Sequence, residues 1–484
     1  MRKNKHSRKL IEATEAGNLK KVEKLLKKNV NVNAQNTSGD TALIVACFKK
    51  YTGIARLLIK NGADLNYVNE EGDTPLILAS YNNNNQLVEL LIEKGADINF
   101  TNKTGNTALI FSSSNSNLML SKFLLENGAA INVVNKGGNS PLILACSVNN
   151  TNLARLLTEK RADVNCKNNK NETPLTLACF KNNSDIIKLL VKKASNINVV
   201  NSGGDTPLLF ACYHNNMEIA VLLINKGANI NVATNVGDTP LIFACSNNDS
   251  ETAKLLINAG ANINVATKNG DTPLIFACSS GNTNLAKLLI EKGADVNIEN
   301  KGNATPLIYA CSSNNFDLAK VLIEKGADLN FETEKGDTAL IFACSKNNTE
   351  TAKLLIESGA DVNHKNKDGH TPLSLTGEKD ILNLLLEKGV EMISNKLWLE
   401  KNLGKECQVI FFRHTVSGDY DIRGEGESIR AEGILSKVGK NYKLENYTIN
   451  CLLSEERHND DNEITWGHES HKWGASEHYI LRLK

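Results

Sequence analysis

The stretch Asp238-Thr-Pro-Leu-Ile-Phe-Ala-Cys245 decides the fold, because it returns almost unchanged along most of the chain. Asp40-Thr-Ala-Leu-Ile-Val-Ala-Cys47 and Asp271-Thr-Pro-Leu-Ile-Phe-Ala-Cys278 are two further copies. The Thr, replaced by Ser in one copy, recurs every 33 residues at positions 41, 74, 107, 140, 173, 206, 239, 272, 305, 338 and 371. No insertion or deletion interrupts this spacing, so we expect each unit to stack on the next in the same way. Residues 8–40 fit the same frame as a degenerate first copy.

Each position of the repeat has a physical reason that predicts a short first helix. The Thr hydroxyl can cap a helix by accepting a backbone N–H, and proline suits the first helical position, where its missing donor is harmless. All eight prolines of the chain occupy that position, at 75, 141, 174, 207, 240, 273, 306 and 372. The Leu-Ile-x-Ala-Cys that follows supplies an apolar helix face.

The helix ends are predicted by residues that tolerate a left-handed backbone. Such a residue stands nine positions after the Thr, as Asn83, Asn182, Asn215, Asn248, Gly281, Asn314 and Asn347. A second helix, such as 251–258, follows with apolar residues at helical spacing. The residues that stop the second helix are Gly260, Gly293, Gly326 and Gly359. A Gly two residues before the next Thr predicts a tight hairpin turn, as at Gly237, Gly270, Gly336 and Gly369.

At these residues the chain resembles the ankyrin repeat family over about residues 8–393. The resemblance implies a mainly α fold, an α-solenoid of helix–turn–helix–β-hairpin units with a concave face that binds other proteins. The family's His after Thr-Pro-Leu is absent here. We therefore expect the His-mediated link between neighbouring loops to be missing, and stability to depend more on apolar stacking. Asn171 and Asn303 replace the hairpin Gly, while Arg161 and Ala194 replace the helix-ending Gly, which predicts weaker junctions around repeats 4–5.

Composition excludes several classes of function. The 484 residues carry 55 Lys+Arg against 54 Asp+Glu, a net charge of +1, so we expect no nucleic-acid partner. No apolar run approaches the ~18 residues of a membrane span. The basic N-terminus has no apolar core of a Sec-type signal peptide. We expect a cytoplasmic monomer, the alternative location being a host cell reached by export without such a signal.

Eight of the eleven cysteines occupy one repeat position, at 47, 146, 179, 212, 245, 278, 311 and 344. Stacked helices lie about 8–10 Å apart, whereas a disulfide needs Cα atoms within about 7 Å. These cysteines are therefore expected to be buried thiols that act as small apolar residues, which favours a reducing compartment. Cys166 falls in a hairpin, and nothing near it in sequence activates it for a redox role.

The pattern divides the chain into three regions. Residues 1–40 form a basic cap with the degenerate first repeat, 41–393 hold repeats 2–12 with the last one shortened, and 394–484 form a small β-rich domain. Strands are predicted there at 408–412, in a hairpin of 431–438 with 442–449, and at 478–484. Four or five such strands fit a small barrel or sandwich, and short stretches are similar to an Sm-type or SH3-like barrel.

We assign no catalytic residue, no cofactor-binding residue and no metal ligand. His468, His471 and His478 are the candidates for a metal, because His468 and His471 have H-x-x-H spacing. Zinc needs three or four ligands in a tetrahedral array, and no CxxC pair or HExxH helix accompanies these histidines. We interpret Trp466–Trp473 as a polar surface loop.

Large side chains at the end of the first helix are the candidate partner-binding residues. Most copies have small polar residues there, such as Ser279-Ser280, but six residues carry bulk: Phe48, Tyr81, Phe180, Lys181, Tyr213 and His214. Exposed aromatic rings favour interfaces, so we expect Phe180 with Tyr213 to form one patch and Phe48 with Tyr81 a second. In the alternative, these rings fold back under the hairpins.

The sequence therefore predicts a non-enzymatic scaffold that binds another protein of unknown identity through the concave face and hairpin tips of an ankyrin solenoid. The alternative is an effector that the repeats target, whose C-terminal domain carries a separate, metal-dependent activity. Stoichiometric metal bound by residues 395–484 would favour that alternative.

Overall fold

The computed structural model describes residues 2–28, 30–193 and 195–388, and beyond them the backbone of the strands given below. Side chains are described for residues 6–28, 30–193 and 195–388, apart from 379 and 386. Ala194 lies outside the described residues. The chain divides into two compact units, Met1–Phe243 with Asn258–Ala261, and Ala244–Ile257 with Asn262–Lys484.

The part of the chain before residue 389 is a regular series of helices, two to each repeat. The first helices of the repeats are α1 Arg2–Glu15, α3 Ala42–Phe48, α5 Pro75–Tyr81, α7 Ala108–Ser114, α9 Pro141–Ser147, α11 Pro174–Phe180, α13 Pro207–Tyr213, α15 Pro240–Ser246, α17 Pro273–Ser279, α19 Pro306–Ser312, α21 Ala339–Ser345 and α23 Pro372–Leu375. The second helices are α2 Leu19–Leu26, α4 Thr52–Lys60, α6 Asn85–Glu93, α8 Leu118–Glu126, α10 Thr151–Glu159, α12 Ser184–Lys192, α14 Met217–Asn225, α16 Ser250–Asn258, α18 Thr283–Glu291, α20 Phe316–Glu324, α22 Thr349–Glu357 and α24 Lys379–Glu387. None of the described helices is both long and apolar enough to cross a membrane.

The predicted helix starts are confirmed at every copy of the motif. The hydroxyl of each repeated Thr or Ser accepts the backbone N–H three residues later, at 3.2–3.4 Å. All eight prolines begin a first helix, where no intrahelical donor is needed. The last first helix, Pro372–Leu375, is only four residues long, as the shortened final copy predicted.

The predicted helix ends are also confirmed. Asn83, Asn182 and Asn215 have φ values of 57°, 53° and 53°, in the left-handed region. Lys50 and Ser116 adopt the same conformation at the equivalent position of their own repeats, at 63° and 60°. The replacements of glycine noted in the sequence keep the left-handed backbone as well: Asn171, Asn303 and Arg161 have φ of 58°, 51° and 68°.

The connection between repeats is a tight turn, and the β-hairpin expected from the family is not formed by paired strands in residues 30–388. Asn69 shows the geometry: its N–H donates to the Asp73 carbonyl at 3.2 Å, and the Gly72 N–H donates to the Asn69 carbonyl at 3.0 Å. Among the described residues of this range, the strand-like pairing consists of an isolated bridge between Gln35 and Thr41. The Asn69 side chain also stabilises the turn, because its Oδ1 accepts the N–H of Asp73 at 2.8 Å.

The core consists of the facing sides of the two helices in each repeat. The Leu, Ile and Ala positions of the motif are buried in every complete copy, also where Ser112, Thr176 or Leu209 replaces the usual residue, and the eight cysteines of the repeat position are at most 2% exposed. Burial raises the pKa of the Cys245 and Cys344 thiols to about 12. The expectation that the repeated cysteines act as small apolar core residues is confirmed.

Asparagine amides link neighbouring repeats, so the junctions have polar links in addition to the apolar stacking that the sequence led us to expect. In the turns, the Asn69 amide donates to Asp40 Oδ1 at 3.0 Å and the Asn102 amide to Asp73 Oδ1 at 2.8 Å. Equivalent bonds are made by Asn135, Asn168, Asn300 and Asn366. These side chains take the place of the missing histidine link.

A second series of Asn side chains forms hydrogen bonds with the backbone just after the second helix of the following repeat. Asn99 Oδ1 accepts the Ala130 N–H at 2.8 Å, and its amide donates to the Gly128 carbonyl at 3.2 Å. The oxygen makes the same kind of bond in Asn33, Asn66, Asn132, Asn165, Asn198, Asn264, Asn297 and Asn330.

A third series lies at the start of the second helices, and the amide nitrogen of one of its members has no acceptor. Asn315 Oδ1 caps its own helix, while its amide donates to Thr283 Oγ1 of the preceding repeat at 3.0 Å. Asn348 occupies the same position one repeat later, where the counterpart of Thr283 is Phe316. The Asn348 amide is buried and has no hydrogen-bond partner. An unsatisfied buried donor costs about 1–3 kcal/mol.

The C-terminal strands form one sheet in the order β1-β5-β4-β3-β2-β8-β7-β6. Their bounds are β1 Glu391–Ile393, β2 Glu406–Thr415, β3 Ile429–Val438, β4 Asn441–Leu444, β5 Tyr447–Leu452, β6 Arg457–Asp460, β7 Glu463–Ser470 and β8 Ala475–Leu483. The first pair, β1 with β5, is parallel and the others are antiparallel. The predicted strand 442–449 is divided between β4 and β5, and the similarity to a small barrel is not confirmed.

Giving the Asn348 amide an acceptor is expected to stabilise the repeats. Phe316→Thr would place a hydroxyl where Thr283 accepts the Asn315 amide, and Phe316→Ala is the matched variant without an acceptor. We expect the Thr variant to be the more stable of the two by about 1 kcal/mol, as measured by urea unfolding. Alanine has the higher helix propensity, so a more stable Thr variant could not be explained by propensity. A Thr variant that is no more stable than the Ala variant would contradict this account of Asn348.

Candidate protein-binding face

The four predicted aromatic residues occupy the same place in their repeats, the last residue of the first helix. Phe48, Tyr81, Phe180 and Tyr213 end α3, α5, α11 and α13, and their side chains are 51%, 53%, 52% and 57% exposed. About half of each ring therefore faces solvent and half is packed. This arrangement differs from the alternative in which the rings are covered by the turns.

The packed half of each ring meets an aromatic residue of the next repeat in three of the four cases. Tyr81 lies edge-on to Phe111 with centroids 5.3 Å apart, and Phe180 lies edge-on to Phe210 at 5.6 Å. Tyr213 makes the same contact with Phe243 at 5.7 Å. Edge-to-face pairs of this kind contribute about 0.5–1.5 kcal/mol beyond burial and hold the rings in place.

These second rings are functional candidates that the sequence analysis missed. They come from the variable position of Leu-Ile-x-Ala-Cys and are partly exposed at Phe111, Phe210, Phe243, Phe276, Tyr309 and Phe342. The sequence carried a signal for them, because the other positions of the motif stay small or aliphatic while this one is repeatedly aromatic. A residue that only filled the core would be fully buried like its neighbours.

The polar candidates have unequal roles. Lys181 places its Nζ 5.4 Å from the centroid of the Phe180 ring, close enough for a cation–π contact. His214 Nε2 lies 2.9 Å from the Phe180 carbonyl oxygen, so this ring joins two repeats. Asn82 and Asn115 do the same for the carbonyls of Phe48 and Tyr81, at 2.9 Å each. His214 is therefore held in the scaffold, whereas Lys181 is exposed beside the aromatic patch.

A cavity of about 500 Å³ lies beside Phe48 in the first unit. Its lining combines apolar side chains of α3 and α5 with acidic residues of α1 and the turns: Ile44, Val45, Phe48, Leu78, Glu15, Asp40, Glu71 and Asp73. Burial raises the pKa of Asp73, a hydrogen bond from Asn102 lowers it, and the charges of Glu71 and Asp40 raise it. The groove combines an apolar floor with four carboxylates and a single ammonium, that of Lys49.

The described residues include possible metal-ligating side chains and one partly exposed cysteine. They contain no group of three or more His, Cys, Asp or Glu side chains placed to hold a metal ion. Cys166 is half-buried, its Sγ donates to the Asp163 carbonyl at 3.1 Å, and burial raises its pKa, which disfavours the reactive thiolate.

The metal candidates lie outside the side chains that the structure describes. The backbones of His468 and His478 belong to β7 and β8, where His468 pairs with Glu477 and His478 with Gly467. His471 lies outside the described residues altogether. These three histidines stay a prediction.

Comparison with known proteins identifies the repeats. A family model described as ankyrin repeats, in three copies, matches the chain in overlapping segments at residues 10–102, 83–168, 109–201, 149–234, 175–267, 241–333 and 307–396. No curated protein matches the chain.

Neutralising Asp73 is expected to stabilise the fold at neutral pH. Asp73→Asn removes a half-buried charge but keeps an acceptor for the Asn102 amide, as Asn106 accepts from Asn135 at 3.0 Å. Since the folded pKa of Asp73 is raised, its ionisation destabilises the native state above that pKa. We expect a gain of less than about 1 kcal/mol after solvent screening.

The pH dependence of that gain provides the check. The difference between the two proteins should disappear as the pH falls through the raised pKa of Asp73, because both side chains are then neutral. Urea titrations of both proteins at neutral and acidic pH measure it. A gain that persisted unchanged in acid would show that the charge of Asp73 is not its cause.

Proposed function

Because the chain belongs to the ankyrin repeat family, whose repeats generally serve protein–protein interaction, we propose that it is a non-enzymatic scaffold that binds a partner protein. The binding surface is the face formed by the ends of the first helices and the turn tips, which is the concave face in ankyrin proteins. The proposal concerns the repeats, and the strands that follow residue 388 have no part in it.

The observation that carries this proposal is the aromatic patch of Phe180, Lys181 and Tyr213. Two half-exposed rings stand one repeat apart, each fixed edge-on against the next repeat. Rings that are already immobilised lose little conformational freedom when a partner covers them. Large rigid side chains of this type dominate the free energy of binding at protein interfaces.

Phe48 and Tyr81 form the second patch of the proposal. The Asn82 amide holds the Phe48 carbonyl, and Tyr81 packs on Phe111, so both residues are held by the following repeat as Phe180 and Tyr213 are. Between the patches, the residue at the end of the first helix is Ser114 or Ser147. We therefore expect two anchor points separated by a polar stretch, which suits a partner that contacts several repeats.

The test is a capture experiment with the full chain as bait in an extract of the cells that make it. We expect Phe180→Ala with Tyr213→Ala to reduce recovery of the main partner by about tenfold or more, because both rings are truncated to a methyl group. Mass spectrometry with quantified recovery measures the change.

Met119→Ala is the matched control. Met119 is 72% exposed on the second helix α8, so its truncation removes exposed apolar surface away from the proposed face. Circular dichroism of each variant checks that the helices are intact. Undiminished recovery by the folded Phe180/Tyr213 variant, or an equal loss with Met119→Ala, would contradict this binding surface.

A further inference from the structure

The groove beside Phe48 has an apolar floor and an acidic rim. Ile44, Val45 and Leu78 are at most 7% exposed and form the floor, while Phe48 stands half-exposed at its edge. Asp40 and Asp73 are partly exposed and Glu15 and Glu71 are exposed, so their carboxylates can be reached from solvent. A volume of about 500 Å³ accommodates several side chains of a ligand.

Four carboxylates and one ammonium, that of Lys49, line the groove, so its described lining carries a net negative charge. None of the four carboxylates forms an ion pair among the described side chains. The Lys49 ammonium in the groove instead lies 5.7 Å from the centroid of the Phe48 ring. Burial raises the pKa of Asp73, and the neighbouring charges of Glu71 and Asp40 raise it further, so the ionised Asp73 is repelled by the other two carboxylates. Opposite charge on a ligand would relieve this repulsion.

The fold does not need carboxylates at these positions. Asp40 and Asp73 accept the amides of Asn69 and Asn102, but Asn106 and Asn139 accept the same bond from the following repeats at 3.0 and 3.2 Å. Ala304 replaces the acceptor altogether. Stacking therefore accepts Asn as well as Asp here, although Asp is the commonest residue of the motif at this position and recurs at Asp205, Asp238, Asp271 and Asp337.

The charges of the turn tips differ along the chain, and the acidic tip lies next to the groove. The exposed tip between repeats 2 and 3 is Glu70-Glu71, whereas the next three tips carry exposed lysines at Lys103, Lys136 and Lys170. A cationic ligand is attracted to the groove beside Phe48 and repelled by the tips that follow.

We propose that this groove binds an extended cationic segment of the partner protein, with Lys or Arg on the carboxylates of Asp40 and Asp73 and an apolar side chain on the floor beside Phe48. The inference rests on the proposed function, because it states the chemistry of a ligand for the same face. Repeats stack about 8–10 Å apart, and three residues of extended chain span about 10 Å. A basic residue at every third position therefore matches successive carboxylates.

The probe is a fluorescein-labelled peptide of repeated Lys-Leu-Ser, titrated with the full-length protein and followed by fluorescence anisotropy. The comparison peptide has Glu in place of Lys. We expect saturable binding of the Lys peptide that weakens as salt is added, and no binding of the Glu peptide. Equal binding of both peptides, or binding of neither, would overturn the proposal.

Charge-neutral variants locate the site. Asp40→Asn with Asp73→Asn keeps the acceptors of the stack and is expected to weaken binding of the Lys peptide by about tenfold. Asp271→Asn is the control, because Asp271 accepts the Asn300 amide in the same way but does not line the groove. A loss of the same size in the control would show general attraction to an acidic surface and would overturn the assignment to this groove.

The two proposals can fail separately. If the Lys peptide does not bind while Phe180→Ala with Tyr213→Ala still loses the partner, the face binds a protein but this groove does not take a cationic segment. If Asp40→Asn with Asp73→Asn loses the peptide while the Phe180/Tyr213 variant recovers the partner undiminished, the groove stands and the aromatic patch is wrong.

Discussion

An asparagine side chain that serves two repeats at once holds neighbouring repeats in register. In the turns, the side-chain oxygen accepts backbone N–H groups of its own repeat, and the amide donates to the repeat before it, as Asn69 does toward Asp73 and Asp40. Both bonds can form only when neighbouring repeats keep the same offset. The uninterrupted 33-residue spacing is compatible with this requirement but does not depend on it alone, because Thr234, Thr267 and Thr333 replace the Asn without changing the spacing.

This use of amides gives the asparagine-rich composition a structural meaning. Turn amides, clamps at the ends of the second helices and helix caps all connect residues that lie about one repeat apart in sequence. Asparagine supplies a donor and an acceptor without charge, so such bonds can be repeated along the chain without accumulating repulsion. Where the acceptor is lost, as opposite Asn348, the deficit remains local because each repeat contacts only its neighbours.

The stack leaves the ends of its first helices free to differ from repeat to repeat. The core is nearly uniform, with the same buried Leu, Ala and Cys in copy after copy, so the fold places little constraint on the residue that ends the first helix. Phe180 and Tyr213 stand where other copies carry Ser. The acidic groove follows the same logic, because Asp40 and Asp73 stand where Asn also satisfies the stack. Groups that the scaffold tolerates rather than requires are the ones available for recognition.

Sequence by itself determined the repeat, its helices and its core. Thr caps, prolines, left-handed Asn and Gly residues and apolar spacing act over a few neighbouring residues, so their consequences can be derived from the local pattern. The position of the aromatic residues at the helix ends was predicted in the same way. The absence of paired strands in the described turns of residues 30–193 and 195–388 was not, because both the Gly pattern and the family resemblance suggested hairpins, whereas side chains such as that of Asn69 help to close these turns.

Tertiary structure alone decided which residues meet. The amide links join residues 29 to 35 positions apart, and a local pattern does not indicate which atoms face each other at that separation. The pairing of Phe180 with Phe210, and the approach of Glu15 from the first helix to Asp73 in the groove, depend on the packing of successive repeats. The sequence period determines the helices and turns of each repeat, because these depend on nearby residues. The packing of one repeat on the next determines which side chains of different repeats lie on the same surface.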